Sequence, residues 1–145
     1  MGAPIQSFTR ISETPIKIHC HVTNPNIVIV LDPTLLGAVD VTKGLTEDGV
    51  LIINTKDSPA RIREKLNLRG RKIYTVDATK IAQETIGRAM PNTPLIGALI
   101  KVTGLLTLDN VLVDIEDKFK KKFSSKMVEG NINAIKRAYQ EVKSE

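Results

Sequence analysis

The sequence predicts a three-layer α/β/α sandwich of Rossmann-like type, with a mixed, mostly parallel sheet, an N-terminal antiparallel hairpin and C-terminal helices. Continuous apolar runs rich in β-branched residues occur at 27–31 and 50–53, and a third, slightly more polar run occurs at 72–76. Such runs are typical of parallel strands that are covered on both faces. Each run ends in a polar turn that leads towards a segment with helical periodicity, and this alternation favours a parallel sheet. With 145 residues, the chain is expected to form a single domain, residues 1–145.

The first predicted element is the antiparallel hairpin, formed by residues 5–11 and 16–22 around a turn at 12–15. In the second segment Ile16, Ile18, Cys20 and Val22 alternate with polar residues. A period of two indicates a strand with one buried face.

Helix start signals follow the strands. Ser58 is a potential cap before the first-turn residue Pro59, and another helical pattern follows Thr79. In the last third, Thr107 and either Ser124 or Ser125 are potential caps of two further helices. The apolar stripes of these four helices are, in order, Ile62 and Leu66; Ile81, Ala82 and Ile86; Leu108, Val111, Leu112, Ile115 and Phe119; and Val128, Ile132, Ile135, Tyr139 and Val142.

The segment 92–104 is unusually apolar. Thr93 is a potential helix cap, Pro94 suits the first position, and Lys101 carries the only charge in the segment. A helix without a polar face must be covered on every side. Residues 94–106 are too few to cross a bilayer, which needs about 20 apolar residues, so no membrane association is predicted. The helix is therefore either the middle of the core or a surface that another protein covers.

Composition and charge restrict the possible partners. The net charge of +5 and the pI near 9.4 permit nucleic acid, a phosphate-bearing ligand or an acidic protein. Nucleic acid is disfavoured because aromatic residues make up 3% of the chain, Trp is absent, and no zinc-finger or RNA-recognition motif occurs. The single cysteine allows no internal disulfide, and with no signal-peptide pattern at the start we expect a cytoplasmic protein.

Two basic segments are interpreted as solvated faces rather than as surfaces that steer a phosphate-rich cofactor or an acidic electron carrier. They are Arg61, Arg63, Lys65, Arg69, Arg71 and Lys72, and Lys118, Lys120, Lys121 and Lys122.

No complete catalytic or metal-binding constellation is present. In a strand, His19 and His21 would share one face while Cys20 points inward as a small apolar residue, which separates the thiol from both imidazoles. A closed zinc site needs four ligands, and the chain has no other histidine, so no metal site is predicted. The sequence also lacks a Walker loop, a Gly-x-Gly-x-x-Gly motif and a Gly-x-Ser-x-Gly elbow.

Three aspartates lie near the carboxyl ends of the predicted strands, where open α/β sheets bind ligands. The capping of turns and helices is the favoured interpretation of all three. They are Asp32, Asp57 and Asp77.

Several segments resemble, in the same order, the gamma subunit of 2-oxoacid:ferredoxin oxidoreductases, the pyruvate and ketoisovalerate oxidoreductase family. The pyruvate-specific type is the most similar. Family members begin with a strand and a Gly-Arg-Gly-Gly-Gln-Gly loop, so the resemblance predicts a gamma-type domain that is N-terminally incomplete. The resembling segments are 2–11, 32–36, 49–55, 76–79, 92–104 and 133–139.

The resemblance implies a complex that decarboxylates a 2-oxoacid oxidatively to acyl-CoA and passes electrons to ferredoxin. It places thiamine diphosphate on the alpha and beta subunits and the iron–sulfur clusters on the beta and delta subunits, with coenzyme A as acyl acceptor. This chain would then be a structural subunit with no catalytic residue, cofactor or metal of its own. The single cysteine agrees, because a four-iron cluster needs four cysteine ligands.

The resemblance assigns subunit contact or backbone geometry to Gly2, Ala3, Pro4, Asn92, Thr93, Pro94 and Gly97. Because a glycine permits close backbone approach, we expect Gly97→Leu to block assembly with the alpha and beta subunits. Two alternatives remain. One is a free-standing α/β module that binds an anionic cofactor such as coenzyme A, and the other is a basic nucleic-acid-binding protein with strongly salt-dependent affinity.

Overall fold

A mixed sheet lies between two helical layers in the computed structural model, which describes residues 3–145. In this part of the chain the sheet has four strands, in the order β1-β2-β3-β4. The strands β1, β2 and β3 are parallel, and β4 joins β3 in the antiparallel direction. The predicted fold class, a mostly parallel sheet with helices on both faces, is confirmed. The strands are β1 (Ile27–Val30), β2 (Val50–Asn54), β3 (Lys72–Val76) and β4 (Lys143–Ser144).

The helices begin where the sequence provides capping side chains. Ser58, Thr107 and Ser124 each accept a hydrogen bond from a backbone N–H of the first turn, as predicted. The second helix begins at Ala78, one residue before Thr79, because Asp77 accepts the capping bond. The helices are α1 (Pro59–Leu66), α2 (Ala78–Thr85), α3 (Asn92–Thr103), α4 (Leu108–Phe119) and α5 (Ser125–Glu141), and a 3-10 helix covers Pro33–Gly37.

Alternating residues of β2 divide the core into two clusters, one on each face of the sheet. Leu51 and Ile53 pack with Ile62 of α1 on one face. Ile52 packs on the other face, against α2, α3 and α5. All four side chains are completely buried, which is the environment expected of a central parallel strand.

The predicted N-terminal hairpin is wrong, because residues 3–26 contain no strand. The two segments do lie side by side: the Phe8 ring stacks on the His21 ring at 4.9 Å, and the Arg10 guanidinium donates to the Ile18 carbonyl at 3.3 Å. Contacts made by side chains thus connect the two segments, in place of the backbone hydrogen bonds that a hairpin would form. We refer to residues 3–26 as the N-terminal arm.

The arm differs from a hairpin for a physical reason. A period-two pattern stabilises a strand only if its apolar face is covered, and an isolated two-stranded hairpin is marginal in water. Nothing in the described chain covers this face, since Ile5 is 90% exposed and Ile18 is 62% exposed. The apolar pattern of the arm is therefore left unburied.

The helix α3 begins two residues earlier than predicted. Its first residue is Asn92, Thr93 lies inside the first turn, and no side chain caps it. Pro94 is tolerated there because the N–H groups of a first turn have no partner within the helix. The helix ends before Gly104, whose φ of 64° is a left-handed conformation that suits glycine.

Candidate assembly surfaces

The apolar helix α3 is part of the chain's own core. Leu95 and Ala98 pack with Ile52 of β2 and with alanines of α5. Thr93 and Pro94 are also buried. Of the two alternatives that the sequence left open for this helix, the structure shows the first, because the sheet and the neighbouring helices of the same chain cover it.

Gly97 allows α3 and α5 to cross closely. A Cβ atom at this position would overlap the carbonyl oxygen of Ile135 and would lie 3.1 Å from the Tyr139 nitrogen. The contact is thus inside the chain, and the expectation that Gly97→Leu acts by blocking assembly is corrected: the larger side chain would displace α5. Gly130 has the same role at the contact with α2, where a Cβ atom would lie 2.5 Å from the Thr85 carbonyl oxygen.

The remaining motif residues lie in two separate parts of the chain. Gly2 lies outside the described residues. Ala3 and Pro4 are exposed at the start of the arm, and Asn92 is exposed at the first position of α3. The predicted set therefore contains both surface positions and core positions.

Asn54 organises the carboxyl end of the parallel strands. Its side-chain N–H groups donate to the Leu31 carbonyl and to the Thr79 hydroxyl, both at 2.8 Å, and its side-chain oxygen accepts from the Thr79 N–H at 3.2 Å. These bonds join the ends of β1 and β2 to the start of α2. Sequence reasoning missed this residue, although a polar side chain at the end of an apolar run was a visible signal.

The aspartates at this edge of the sheet form capping hydrogen bonds or an ion pair within the chain. Asp77 caps α2, and Asp32 accepts from the N–H and hydroxyl of Thr34, which lowers the pKa of its carboxyl group. The capping interpretation is confirmed for these two. Asp57 instead forms an ion pair with Arg61 at 3.6 Å.

The first basic segment contains a structural arginine, Arg63, that the sequence did not distinguish. Arg63 donates to both carboxylate oxygens of Glu145, at 2.6 and 2.8 Å, and to the carbonyls of Gly70 and Arg71. The hydrogen bonds between the two side chains raise the pKa of Arg63 and lower the pKa of Glu145. Arg63 thus holds Glu145 beside β3 rather than forming part of a solvated face.

The histidines and the cysteine of the arm do not gather a ligand set. Cys20 is exposed rather than packed inward, which corrects the expectation for this residue. In residues 3–145 no group of three or more His, Cys, Asp or Glu side chains has a geometry that could hold a metal ion. Among the same residues, no helix is both long and apolar enough to cross a membrane.

The N-terminal arm carries several of the large apolar side chains that are exposed on the described chain. Its two halves enclose an open cavity of about 470 Å³, lined by Phe8, Arg10, Ile18 and His21 among others. Ile11 is 75% exposed, in addition to Ile5 and Ile18. A group of exposed large apolar side chains in one segment is typical of protein–protein contact sites.

Comparison with known proteins adds independent information. Residues 1–141 match the family model described as pyruvate ferredoxin/flavodoxin oxidoreductase. The chain is 45% identical over 139 residues to the pyruvate/ketoisovalerate oxidoreductases common subunit gamma of Pyrococcus abyssi, covering 96% of this chain and 73% of that protein. It is 43% identical over 142 residues to the pyruvate synthase subunit PorC of Thermotoga maritima, covering 98% of this chain and 73% of that protein.

A solved structure agrees with these matches. The crystal structure of the pyruvate oxidoreductase subunit PORC from Thermotoga maritima superposes with a TM-score of 0.74 at 43% identity, covering 85% of this chain and 66% of that one. The chain thus spans about two thirds to three quarters of the length of these relatives. On this evidence the chain belongs to the pyruvate ferredoxin/flavodoxin oxidoreductase family.

Proposed function

We propose that this chain is the gamma-type subunit of a pyruvate:ferredoxin oxidoreductase complex and that it serves assembly rather than bond breaking. The observation that carries the proposal is the match to gamma and PorC subunits at 40–45% identity over nearly the whole chain. Its partners would be the alpha, beta and delta subunits, with ferredoxin as electron acceptor of the complex. Thiamine diphosphate, the iron–sulfur clusters and coenzyme A would be bound by those other subunits, in the cytoplasm.

The geometry of the described residues supports a structural role. At the strand ends, where an open α/β sheet would bind a cofactor, Asn54 already bonds to Leu31 and Thr79. Asp32 and Asp77 each cap a helix of this chain. Three isoleucines of the arm, in contrast, are largely exposed: Ile5, Ile11 and Ile18. Burying one Ile side chain contributes about 1.5–3 kcal/mol, so three such residues would contribute substantially to a subunit contact. We therefore assign subunit contact to the arm, with Ala3 and Pro4 at its start.

Co-expression with the alpha, beta and delta subunits tests this assignment. With an affinity tag on this chain, we expect all three subunits to co-purify and the complex to oxidise pyruvate with coenzyme A and methyl viologen. The triple variant Ile5→Ser, Ile11→Ser and Ile18→Ser should reduce co-purification at least about tenfold, since a loss of 1.4 kcal/mol is already a factor of ten.

Val113→Ser is the matched control, because Val113 is 59% exposed but lies on α4. It should assemble like the wild-type chain. Co-purification of the triple variant at the wild-type level would remove the arm from the interface. Pyruvate oxidation by the isolated chain would overturn the assembly role itself, and micromolar binding of coenzyme A to it would favour the alternative of a free-standing binding module.

A further inference from the structure

The turn between α4 and α5 concentrates positive charge. We call this surface the lysine corner, and it consists of Lys118, Lys120, Lys121, Lys122 and Lys126, all of which are exposed. Sequence reasoning interpreted its first four lysines as a solvated face. The structure adds an aromatic pair in their midst, which a merely solvated face would not need.

The charge of the corner is partly neutralised by its own helices. Lys118 pairs with Asp114 at 2.8 Å, and Lys120 pairs with Asp117 at 3.0 Å. The other acidic residues on these two helices near the turn are Glu116 and Glu129. Within the described part of the chain, Lys121, Lys122 and Lys126 form no ion pair. Three positive side chains are therefore available to an external partner.

Two phenylalanines occupy the same corner. Phe119 and Phe123 contact each other edge to face, with ring centroids 5.3 Å apart, and Phe123 is 47% exposed. The whole sequence has three phenylalanines, so their pairing here is a local concentration. An edge-to-face aromatic pair of this kind contributes about 0.5–1.5 kcal/mol beyond the area it buries, so it favours one arrangement of the two rings. The helix α4 that carries Phe119 has no fully buried residue and lies at the edge of the molecule.

An apolar centre surrounded by flexible cations indicates a partner of a particular kind. Permanent subunit interfaces exclude charge, and Lys in particular, from their centre. Electron-transfer encounters instead bury little area and depend on complementary charge for fast association. The lysine corner fits an electron-transfer encounter. The exposed isoleucines of the arm fit a permanent subunit interface.

We propose that the lysine corner is a docking surface for a small acidic electron-carrier protein of the ferredoxin class. The inference rests on the proposed function, which supplies a complex that donates electrons to such a carrier. Lys121, Lys122 and Lys126 steer the acidic carrier towards the corner, and the exposed face of Phe123 provides the apolar contact once it has arrived.

The test uses the assembled complex and measures the pyruvate-dependent reduction of ferredoxin beside that of methyl viologen, a small dye that needs no docking surface. The double variant Lys121→Glu and Lys122→Glu should raise the KM for ferredoxin about tenfold at low ionic strength. Its kcat and its dye-linked rate should be unchanged. Because salt screens exposed charges, the difference from wild type should disappear at about 0.5 M salt.

Two further variants separate the roles within the corner. Phe123→Ser should also raise the KM, but by the same factor at low and high salt, because the lost contact is apolar. Lys43→Glu with Lys56→Glu makes the same change of net charge at exposed positions outside the corner, and it should leave the KM at the wild-type value.

An unchanged KM in the corner variants with an intact dye-linked rate would overturn the docking surface alone. An equal rise in KM for the control variant would also overturn it, since net charge rather than the corner would then be responsible. A wild-type complex that fails to reduce the dye with pyruvate would overturn the proposed function and this inference together.

Discussion

Gly97 shows how one missing side chain determines the distance between two helices. Its backbone lies against the carbonyl group of Ile135 and the nitrogen of Tyr139, so that α3 reaches α5 without a spacer. This close approach allows the small residues Ala134 and Ala138 of α5 to be completely buried in the same cluster as Ala98 of α3. The size of one residue thus controls the packing of the most apolar helix.

We predict that Gly97→Ala lowers the free energy of unfolding by about 1–3 kcal/mol, because the added methyl group must push the α5 backbone away. Urea denaturation followed by circular dichroism measures the change. Gly37→Ala is the control, since a Cβ atom at Gly37 would meet nothing within 4 Å. Equal stability of the two variants would show that α3 and α5 can move apart at Gly97 at no energetic cost.

At the scale of elements, the edge of the sheet beside β3 depends on a side-chain pair. The strand β4 contributes two residues, Lys143 and Ser144, which pair with Thr75 and Tyr74. So short a ladder is weak by itself. Arg63 on α1 strengthens the pairing of β4 with β3, because it forms a bidentate hydrogen bond with the carboxylate of Glu145, the residue after β4.

The Arg63–Glu145 pair predicts that the local stability of β4 depends on pH. Since Arg63 lowers the pKa of Glu145, the pair stabilises the folded chain above the ordinary glutamate pKa of about 4.3. That stabilisation is lost as the pH falls from there through the lower, folded-state pKa. At pH 7, Glu145→Gln should therefore speed amide hydrogen exchange in β4 relative to wild type. Below the folded-state pKa the two proteins should exchange alike.

Arg61→Ala is the control for charge at this face, because Arg61 is mostly exposed and its ion pair with Asp57 is longer, at 3.6 Å. It should leave exchange in β4 unchanged at every pH. A difference between wild type and Glu145→Gln that persists at low pH would show that the carboxylate charge is not what holds the strand.

At the scale of the whole molecule, the two core clusters are formed independently of the apolar side chains of the N-terminal arm. Both clusters are formed entirely by residues after position 26, and the exposed apolar side chains of the arm belong to neither. The fold therefore gains its stability from the sheet and its helices. The arm is available for contact with other chains without loss to the core.

This independence predicts that Ile5→Ser, Ile11→Ser and Ile18→Ser together change the free energy of unfolding of the isolated chain by less than about 0.5 kcal/mol. Ile62→Ser should lower it by about 3 kcal/mol or more, because Ile62 is completely buried between α1 and the sheet. Thermal and urea unfolding of both variants measures the contrast. A large loss of stability in the arm variant would show that the arm packs on its own chain in solution.

By itself the sequence determined the three parallel strands, the helices that follow them and the family resemblance. These depend on local signals, namely apolar runs, period, caps and ordered motifs, which act over a few residues at a time. Ser58, Thr107 and Ser124 cap helices as their positions predicted.

The tertiary structure alone decided which surfaces are inside and which are outside. Burial depends on what lies opposite in space, and a period-two pattern such as Ile16 to Val22 contains no information about whether a covering face exists. The same reason explains why α3 is core, why Gly97 faces α5, and why Arg63 bonds to Glu145 instead of facing solvent. It also explains Asn54, whose three hydrogen bonds reach residues 23 and 25 positions away along the chain.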